Sequence, residues 1–269
     1  MTVVVSETFA FSEDSLELLK KIGPLETGPY AHDELIYAVA NATVLMVRLA
    51  HKIDEQLLSH APQLKMVISA TTGLNHIDLD ACRKRSIEVI CLKGERDFLN
   101  SISSTAELSM GLLMSLIRYI PAAHNDVCAG NWNRDRFMGQ SLFGKTLGII
   151  GMGRLGKLLA GYARAFKMEI IYCDLRSEAD CENARLVSLS ELLSISDIIS
   201  LNASHSRTDP TILDRANLAL VKPGVLIVNT ARGELVDEYE ICRLVEQGNI
   251  GGYATDVMSD EQEIKANLK

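Results

Sequence analysis

The 269-residue sequence has no cluster of lysines and arginines long enough to track a phosphate backbone, and its formal net charge is −8. An acidic chain without a basic stripe is a poor partner for nucleic acid or an anionic membrane surface. It also lacks an apolar stretch approaching the ~18–20 residues of a membrane span. Its first residues, Met1-Thr2-Val3-Val4-Val5-Ser6-Glu7, have neither the basic segment nor the long apolar run of a secretory leader. The six cysteines at 82, 91, 128, 173, 181 and 242 form no C-x-x-C pair, so the common zinc and dithiol spacings are missing and no metal site is expected. Cys91 and Cys173 lie inside apolar runs and are expected as core thiols. The whole set suits a reducing, intracellular, most simply cytoplasmic setting. Internal repeats and low-complexity tracts are absent as well. What remains is ordinary globular composition, 47% hydrophobic and 23% charged, with length for about two domains of ~100–200 residues.

The first hundred residues alternate short apolar runs with helical patterns. Residues 2–5, 43–47, 64–69 and 87–92 read as buried strands. Residues 13–21, 32–40, 55–60 and 78–85 read as helices, with Asp78 as an N-cap. Such alternation implies a parallel sheet covered on both faces. From Ser104 to Ile120 the chain runs without proline, and Leu112, Leu113, Leu116, Ile117 and Ile120 recur on one helical face. The domain boundary is placed before this helix, giving domains 1–99 and 100–269. The second domain again alternates. Strands are expected at 146–150, 169–173, 198–201, 225–229 and 252–255, and helices at 154–166, 189–194, 214–220 and 238–247, with Gly248 just past the last. Two doubly wound parallel α/β domains follow.

One motif carries chemistry in context. A predicted strand, Leu147-Gly148-Ile149-Ile150, runs into Gly151-Met152-Gly153-Arg154-Leu155-Gly156, and a helix follows whose Leu155, Leu158, Leu159, Tyr162 and Phe166 share a side. In a dinucleotide-binding turn Gly151 makes the bend, Gly153 lets the backbone approach a pyrophosphate, and Gly156 lets helix and strand pack closely. The helix N-terminus adds free N–H groups and positive dipole. Asp174 ends the next strand, 18 residues after Gly156. A carboxylate there can accept both ribose hydroxyls and repel a 2′-phosphate, which favours NAD over NADP. Arg176, two residues on, works the other way.

Further segments carry a resemblance. Ala70-Thr71-Thr72-Gly73-Leu74-Asn75-His76-Ile77-Asp78, Ser104-Thr105-Ala106-Glu107, Gly130-Asn131-Trp132, the glycine set Gly148/Gly151/Gly153/Gly156, and Lys222-Pro223-Gly224 through Asn229-Thr230-Ala231-Arg232-Gly233-Glu234-Leu235-Val236-Asp237 follow one pattern. The chain resembles the D-isomer-specific 2-hydroxy acid dehydrogenases over most of its length. The resemblance implies a flavodoxin-like substrate domain beside a Rossmann NAD domain, a homodimer through the latter, and hydride exchange between NAD and a small 2-hydroxy or 2-oxo acid. It implies a catalytic arginine at Arg232 and a catalytic acid at Glu261, though Asp260 and Glu263 lie close by. Cofactor contacts are expected from Gly151, Gly153, Arg154, Leu155, Gly156, Asp174, Thr230, Ala231 and Asp256. Substrate contacts are expected from Arg48, Thr72, Gly73, Leu74 and Arg232.

Physical chemistry supports Arg232 independently. It falls just past the apolar strand 225–229, at the carboxyl edge where α/β sites lie, and a guanidinium can grip a carboxylate through two hydrogen bonds. The competing reading is a structural salt bridge with Glu234 or Asp237. Gly233 is expected to allow the turn that exposes Arg232. Two departures from the family pattern stand out. The family's acid–base histidine follows the glutamate, yet His32, His51, His60, His76, His124 and His205 all precede Glu261. That histidine, and the segment returning to the first domain, are expected beyond Lys269. A catalytically silent NAD-responsive protein of the same fold is the alternative. The second departure is Asn202-Ala203-Ser204-His205, where many relatives have His-x-Pro. His76 is expected to fix its own loop. The loop from Val47 to His51 holds little positive charge, so a phosphorylated substrate would depend on Arg48.

Overall fold

The computed structural model describes residues 1–8, 11–176, 183–205 and 209–259. The chain divides into two compact units, Met1–Leu99 and Asn100–Lys269. In the first, the elements run β1 (Val3–Val5), α1 (Glu13–Lys20), β2 (Leu25–Thr27), α2 (His32–Ala38), β3 (Val44–Val47), α3 (Glu55–Ser59), β4 (Met66–Ser69), α4 (Leu79–Lys84), β5 (Glu88–Cys91) and α5 (Arg96–Asn100). Every strand pairing is parallel, in the order β2-β1-β3-β4-β5. This is the flavodoxin-like order, whose direction reverses between β1 and β3. Val4, Leu45, Val47 and Val67 join Leu35, Leu57, Leu58 and Ala81 in one core, while Val3, Val5 and Val44 join Leu19 on the opposite face. Alternate residues of one strand thus feed helices on both sides of the sheet. Asp78 caps α4 by accepting the N–H groups of Asp80 and Ala81.

The second unit continues with α6 (Ser104–Ile117), α7 (Ile120–Cys128), β6 (Thr146–Ile150), α8 (Arg154–Ala165), β7 (Glu169–Cys173), β8 (Arg185–Leu186), α9 (Leu189–Ile195), β9 (Ile198–Leu201), α10 (Arg215–Leu218), β10 (Val225–Asn229), α11 (Glu238–Glu246) and β11 (Ile250–Thr255). Its parallel sheet has the order β11-β10-β9-β6-β7-β8, the Rossmann arrangement with the reversal between β6 and β9. Leu147, Ile149, Ile198 and Val228 face a core with Met110, Leu113 and Ile117 of α6 and Leu159, Ala160 and Ala163 of α8. Ile199, Leu201 and Ile227 face a second core under α9 and α11. The apolar face of α6 is therefore spent inside its own unit.

Several sequence expectations need correction. The helix predicted to reach Ile120 stops at Ile117. Tyr119 takes a left-handed φ of 55° and α7 starts afresh with Pro121 in its first turn. A proline ring at 121 would clash with the Ile117 carbonyl in a continuous helix, whereas a first turn accommodates it. The short edge strands β2 and β8 and the helices α5 and α7 carry no apolar periodicity, and reading by pattern passed over them. Along α8 the buried side is Gly156, Leu159, Ala160 and Ala163, while Phe166 is exposed, because small residues let the helix lie close on the sheet. Cys91 and Cys173 are only half-buried, and among the described cysteines Cys82 is the one that is fully packed.

Candidate active site

The glycine turn joins β6 to α8, and each glycine answers a different constraint. Gly151 has φ +93°, and its N–H donates to the Cys173 carbonyl at 2.9 Å. A Cβ there would also stand 2.7 Å from the Ala203 nitrogen. At Gly156 a Cβ would lie 2.4 Å from the Gly151 carbonyl oxygen, so the first turn of α8 can rest on the loop only without a side chain. Gly153 is the opposite case. Its Cβ position is open, with the nearest atom a terminal nitrogen of Arg176 at 3.8 Å. Gly153 is also the N-cap of α8 and contributes no side-chain cap, which leaves first-turn N–H groups for an anion. The crowding at two glycines and the opening at the third fit a pyrophosphate cradle.

Asp174, at the carboxyl end of β7, closes this loop. One carboxylate oxygen accepts the Met152 N–H at 2.8 Å, and the other accepts the Arg176 N–H at 2.9 Å and the Arg176 guanidinium at 3.3 Å. Burial alone would push its pKa up. The Arg176 backbone and side-chain bonds, the Met152 bond and the Arg176 charge outweigh burial and hold it below the usual value. Arg154 donates to the Ile102 carbonyl, and Leu155 is half-buried behind the turn. The loop after β9 lies on Gly151, and within it Asn202 Oδ1 and His205 Nδ1 are buried without a hydrogen-bond partner among the described residues.

The turn after β10 is built by side chains. Asn229 is fully buried, its Oδ1 accepts the Ala231 N–H at 3.0 Å and its Nδ2 donates to the Arg232 carbonyl at 2.8 Å. The Thr230 hydroxyl is buried 2.6 Å from the Ser109 hydroxyl of α6. Arg232 is extended (φ −152°, ψ 143°), half-buried, and donates to the Ala231 carbonyl. Neither proposed carboxylate pairs with it: Asp237 is the N-cap of α11 and Glu234 is exposed, and among the described residues Arg232 enters no salt bridge. Gly233 does not take a left-handed φ. A Cβ there would stand 2.0 Å from the Ser259 nitrogen, so it is needed for backbone packing, not for the turn itself. Asp256 is exposed just past β11. Glu261, Asp260 and Glu263 lie outside the described residues.

In the first unit, Arg48 follows β3 at the switch point of the sheet. Glu7, just past β1, accepts the N–H groups of Arg48 and Ala50 at 3.1 and 3.0 Å, so the loop carrying Arg48 is pinned by a carboxylate. After β4, the Thr71 hydroxyl donates to the Gly73 carbonyl at 2.7 Å and lies 2.7 Å from that of Ser69, which in turn meets His76 Nε2 at 3.3 Å. His76 thus braces the loop that presents Thr72, Gly73 and Leu74. Thr72 is exposed, and Gly73 and Leu74 are half-buried. His51 is buried, stacked on His32 at 6.2 Å, with its pKa lowered chiefly by burial and further by His32, against an opposing pull from Glu7.

Residues 3–109 match the catalytic domain of the D-isomer specific 2-hydroxyacid dehydrogenases, and residues 110–268 match the NAD binding domain of the same family. The chain belongs to this family. It is 34% identical over 264 residues to a D-3-phosphoglycerate dehydrogenase of Methanocaldococcus jannaschii, covering 96% of this chain and 49% of that protein. It is 35% identical over 230 residues to a hydroxypyruvate reductase of Thermotoga maritima, covering 85% and 73%. A crystal structure of a D-lactate dehydrogenase from Aquifex aeolicus complexed with NAD and lactic acid superposes with a TM-score of 0.86 at 28% identity, covering 99% of this chain and 80% of that one. The chain spans about half the length of the first phosphoglycerate dehydrogenases it matches.

In this chain of the 2-hydroxyacid dehydrogenase family, sequence reading missed three residues that shape the loops: Glu7, Ser109 and Glu238, whose carboxylate accepts the Ser259 N–H and hydroxyl. None sits in a glycine or arginine motif. Asn229 belongs to the Arg232 segment, and an asparagine ending an apolar strand signals the side-chain bonding to the backbone that the structure shows.

Proposed function

We propose that the protein carries out reversible hydride transfer between NAD and C2 of a small D-2-hydroxy or 2-oxo acid. The observation that carries this reading is the Arg232 turn. It presents a guanidinium without a carboxylate partner among the described residues, at the carboxyl edge of the sheet that also bears the glycine turn. NAD, when bound, supplies or receives the hydride. The Gly151–Gly156 turn, with Arg154 and Leu155, would hold its pyrophosphate, Asp174 its ribose hydroxyls, and Thr230, Ala231 and Asp256 its remaining contacts. Arg232 would bind the acid's carboxylate and polarise the neighbouring carbonyl. Arg48 and the loop Thr72-Gly73-Leu74 would complete substrate binding, which makes residues 1–99 the substrate unit and 100–269 the NAD unit. Glu261 would raise the pKa of the histidine that the family pattern places after it. The test is NADH oxidation with a panel of 2-oxo acids, phosphorylated ones included, by protein expressed from the complete gene. Turnover that is lost in Arg232→Ala supports the reading, and NADH binding without turnover on any 2-oxo acid would sink it.

The same reading includes a homodimer through the NAD unit, in a cytoplasmic setting. Support for the dimer comes from Ile120, Val127, Trp132, Met138 and Phe143, large apolar side chains exposed along one stretch of that unit. A sedimentation mass of one chain would contradict it. Among the described residues no helix is long and apolar enough to cross a membrane.

A further inference from the structure

The peptide between Met258 and Ser259 is held from two sides. On one side stands Gly233, where a Cβ would lie 2.0 Å from the Ser259 nitrogen and 2.1 Å from the Met258 carbonyl carbon. On the other stands Glu238, the first residue of α11. Its carboxylate accepts the Ser259 N–H at 3.2 and 3.3 Å and the Ser259 hydroxyl at 2.5 Å. Oε2 accepts both donors of the serine and Oε1 shares the N–H, a charge-assisted set of bonds on one carboxylate. Glu238 forms no salt bridge among the described residues, so this pair is where its charge is used. Arg232 is bonded directly to the glycine that the peptide presses on, and its carbonyl is held from behind by Asn229 Nδ2 at 2.8 Å. At the other end of the same segment the Thr255 hydroxyl reaches the Asn229 carbonyl at 2.9 Å and the Val257 carbonyl at 2.6 Å. The segment 255–259 and the turn 229–233 are thus one tied unit, with Glu238 as the knot farthest from β11.

We propose that Glu238 is a positioning residue for Arg232. By clamping Ser259 it keeps the Met258–Ser259 peptide against Gly233, and the peptide in turn keeps the Arg232 backbone extended, with its guanidinium presented at the sheet edge. A residue that acts only as a helix-end carboxylate would favour α11 by its charge and leave the Arg232 turn unaffected.

The role separates from simple stabilisation in two measurements on protein from the complete gene. Native-state hydrogen exchange is the first, and it does not require activity. Glu238→Ala should speed exchange of amides in 230–236 and 255–259 at least tenfold while amides of β6 and the glycine turn keep wild-type rates. Ser259→Ala, which removes one of the two donors, should give a smaller change at the same places. The second measurement is kinetic and rests on the proposed hydride transfer. In Glu238→Ala the KM for the 2-oxo acid should rise about tenfold and kcat should fall, with a smaller rise in the Kd for NADH, whose proposed contacts at Thr230, Ala231 and Asp256 lie in the loosened segments while the glycine turn does not. Glu238→Gln, whose amide oxygen still accepts from Ser259 but carries no charge, should recover part of the loss. Unchanged exchange at 230–236 in both variants would overturn the proposal. So would a uniform loss in which NADH affinity falls as far as kcat/KM. A wild-type protein that reduces no 2-oxo acid would defeat the functional reading instead, and the exchange data alone would then decide the place of Glu238. If Glu238→Ala does not fold, Ser259→Ala carries the exchange test.

Discussion

Replacing Asp174 separates what this carboxylate does for the loop from what it does for the cofactor. In the structure it accepts the N–H of Met152, a residue only 1% exposed, and pairs with Arg176. Asp174→Ala leaves the Met152 N–H without a partner, at a cost of about 1–3 kcal/mol to the loop. Asp174→Asn keeps an acceptor for that N–H and isolates the loss of charge. A hydrogen bond to a charged group contributes about 1.5–3 kcal/mol, which corresponds to about 10- to 150-fold in Kd. Asp174→Asn should therefore weaken NADH binding by at least tenfold without lowering the melting temperature by more than a few degrees. The same change frees the Arg176 guanidinium, now 3.3 Å from Asp174 Oδ1, to meet a 2′-phosphate. NADPH binding should improve while NADH binding falls. Fluorescence titration with both coenzymes reads the two effects in one experiment. If the variant holds NADH as tightly as wild type and still rejects NADPH, Asp174 is a loop brace and not a ribose ligand.

Two further outcomes follow from burial. The Cys173 thiol is pushed up to about 11, by burial first and by the neighbouring Asp174 charge second, so it stays protonated at neutral pH. Peptide mapping after brief alkylation at pH 8 should find exposed Cys128 modified and Cys173 intact, and equal labelling of the two would contradict this burial. His51 has its pKa lowered in the folded chain, so protonation favours the unfolded state. Its contribution to stability is complete above the unfolded value of about 6.5 and is lost as pH falls through the lower folded value. Denaturant midpoints should drop between pH 7 and pH 5, and the drop should shrink in His51→Asn. An equal drop in both proteins would assign it to other groups.

The sheets were legible in the sequence because parallel strands buried on both faces are short apolar runs, and β6, β7, β9 and β10 begin and end where those runs do. The glycine turn was legible for the same local reason, since strand, glycines, helix and acid follow within 28 residues of Thr146. Periodicity says nothing about an edge strand such as β2, which is half-exposed and three residues long. It also carried the α6 helix too far, because Ile120 continues the apolar pattern and the block lies one residue later, at Pro121. The Gly233 expectation had the right residue and the wrong cause, because the peptide that requires glycine is 25 and 26 residues distant, at Met258–Ser259. Glu7, Ser109 and Glu238 act only through such contacts. Arg48 was proposed from the family resemblance, Asp174 from its spacing after the glycine turn, and Arg232 from the resemblance together with its place at a strand end, where a doubly wound sheet gathers its chemistry.

The role of Arg232 is read from steady-state NADH oxidation by wild type, Arg232→Lys and Arg232→Ala, each expressed from the complete gene. Losing a bidentate, charge-assisted grip on a carboxylate whose carbonyl is being reduced should lower kcat/KM by at least about a hundredfold, equivalent to about 2.7 kcal/mol. Lysine should not restore it, because it offers a point charge and not a planar fork. The Kd for NADH should stay within twofold. Full activity in Arg232→Ala, or a loss confined to NADH binding, would contradict the account.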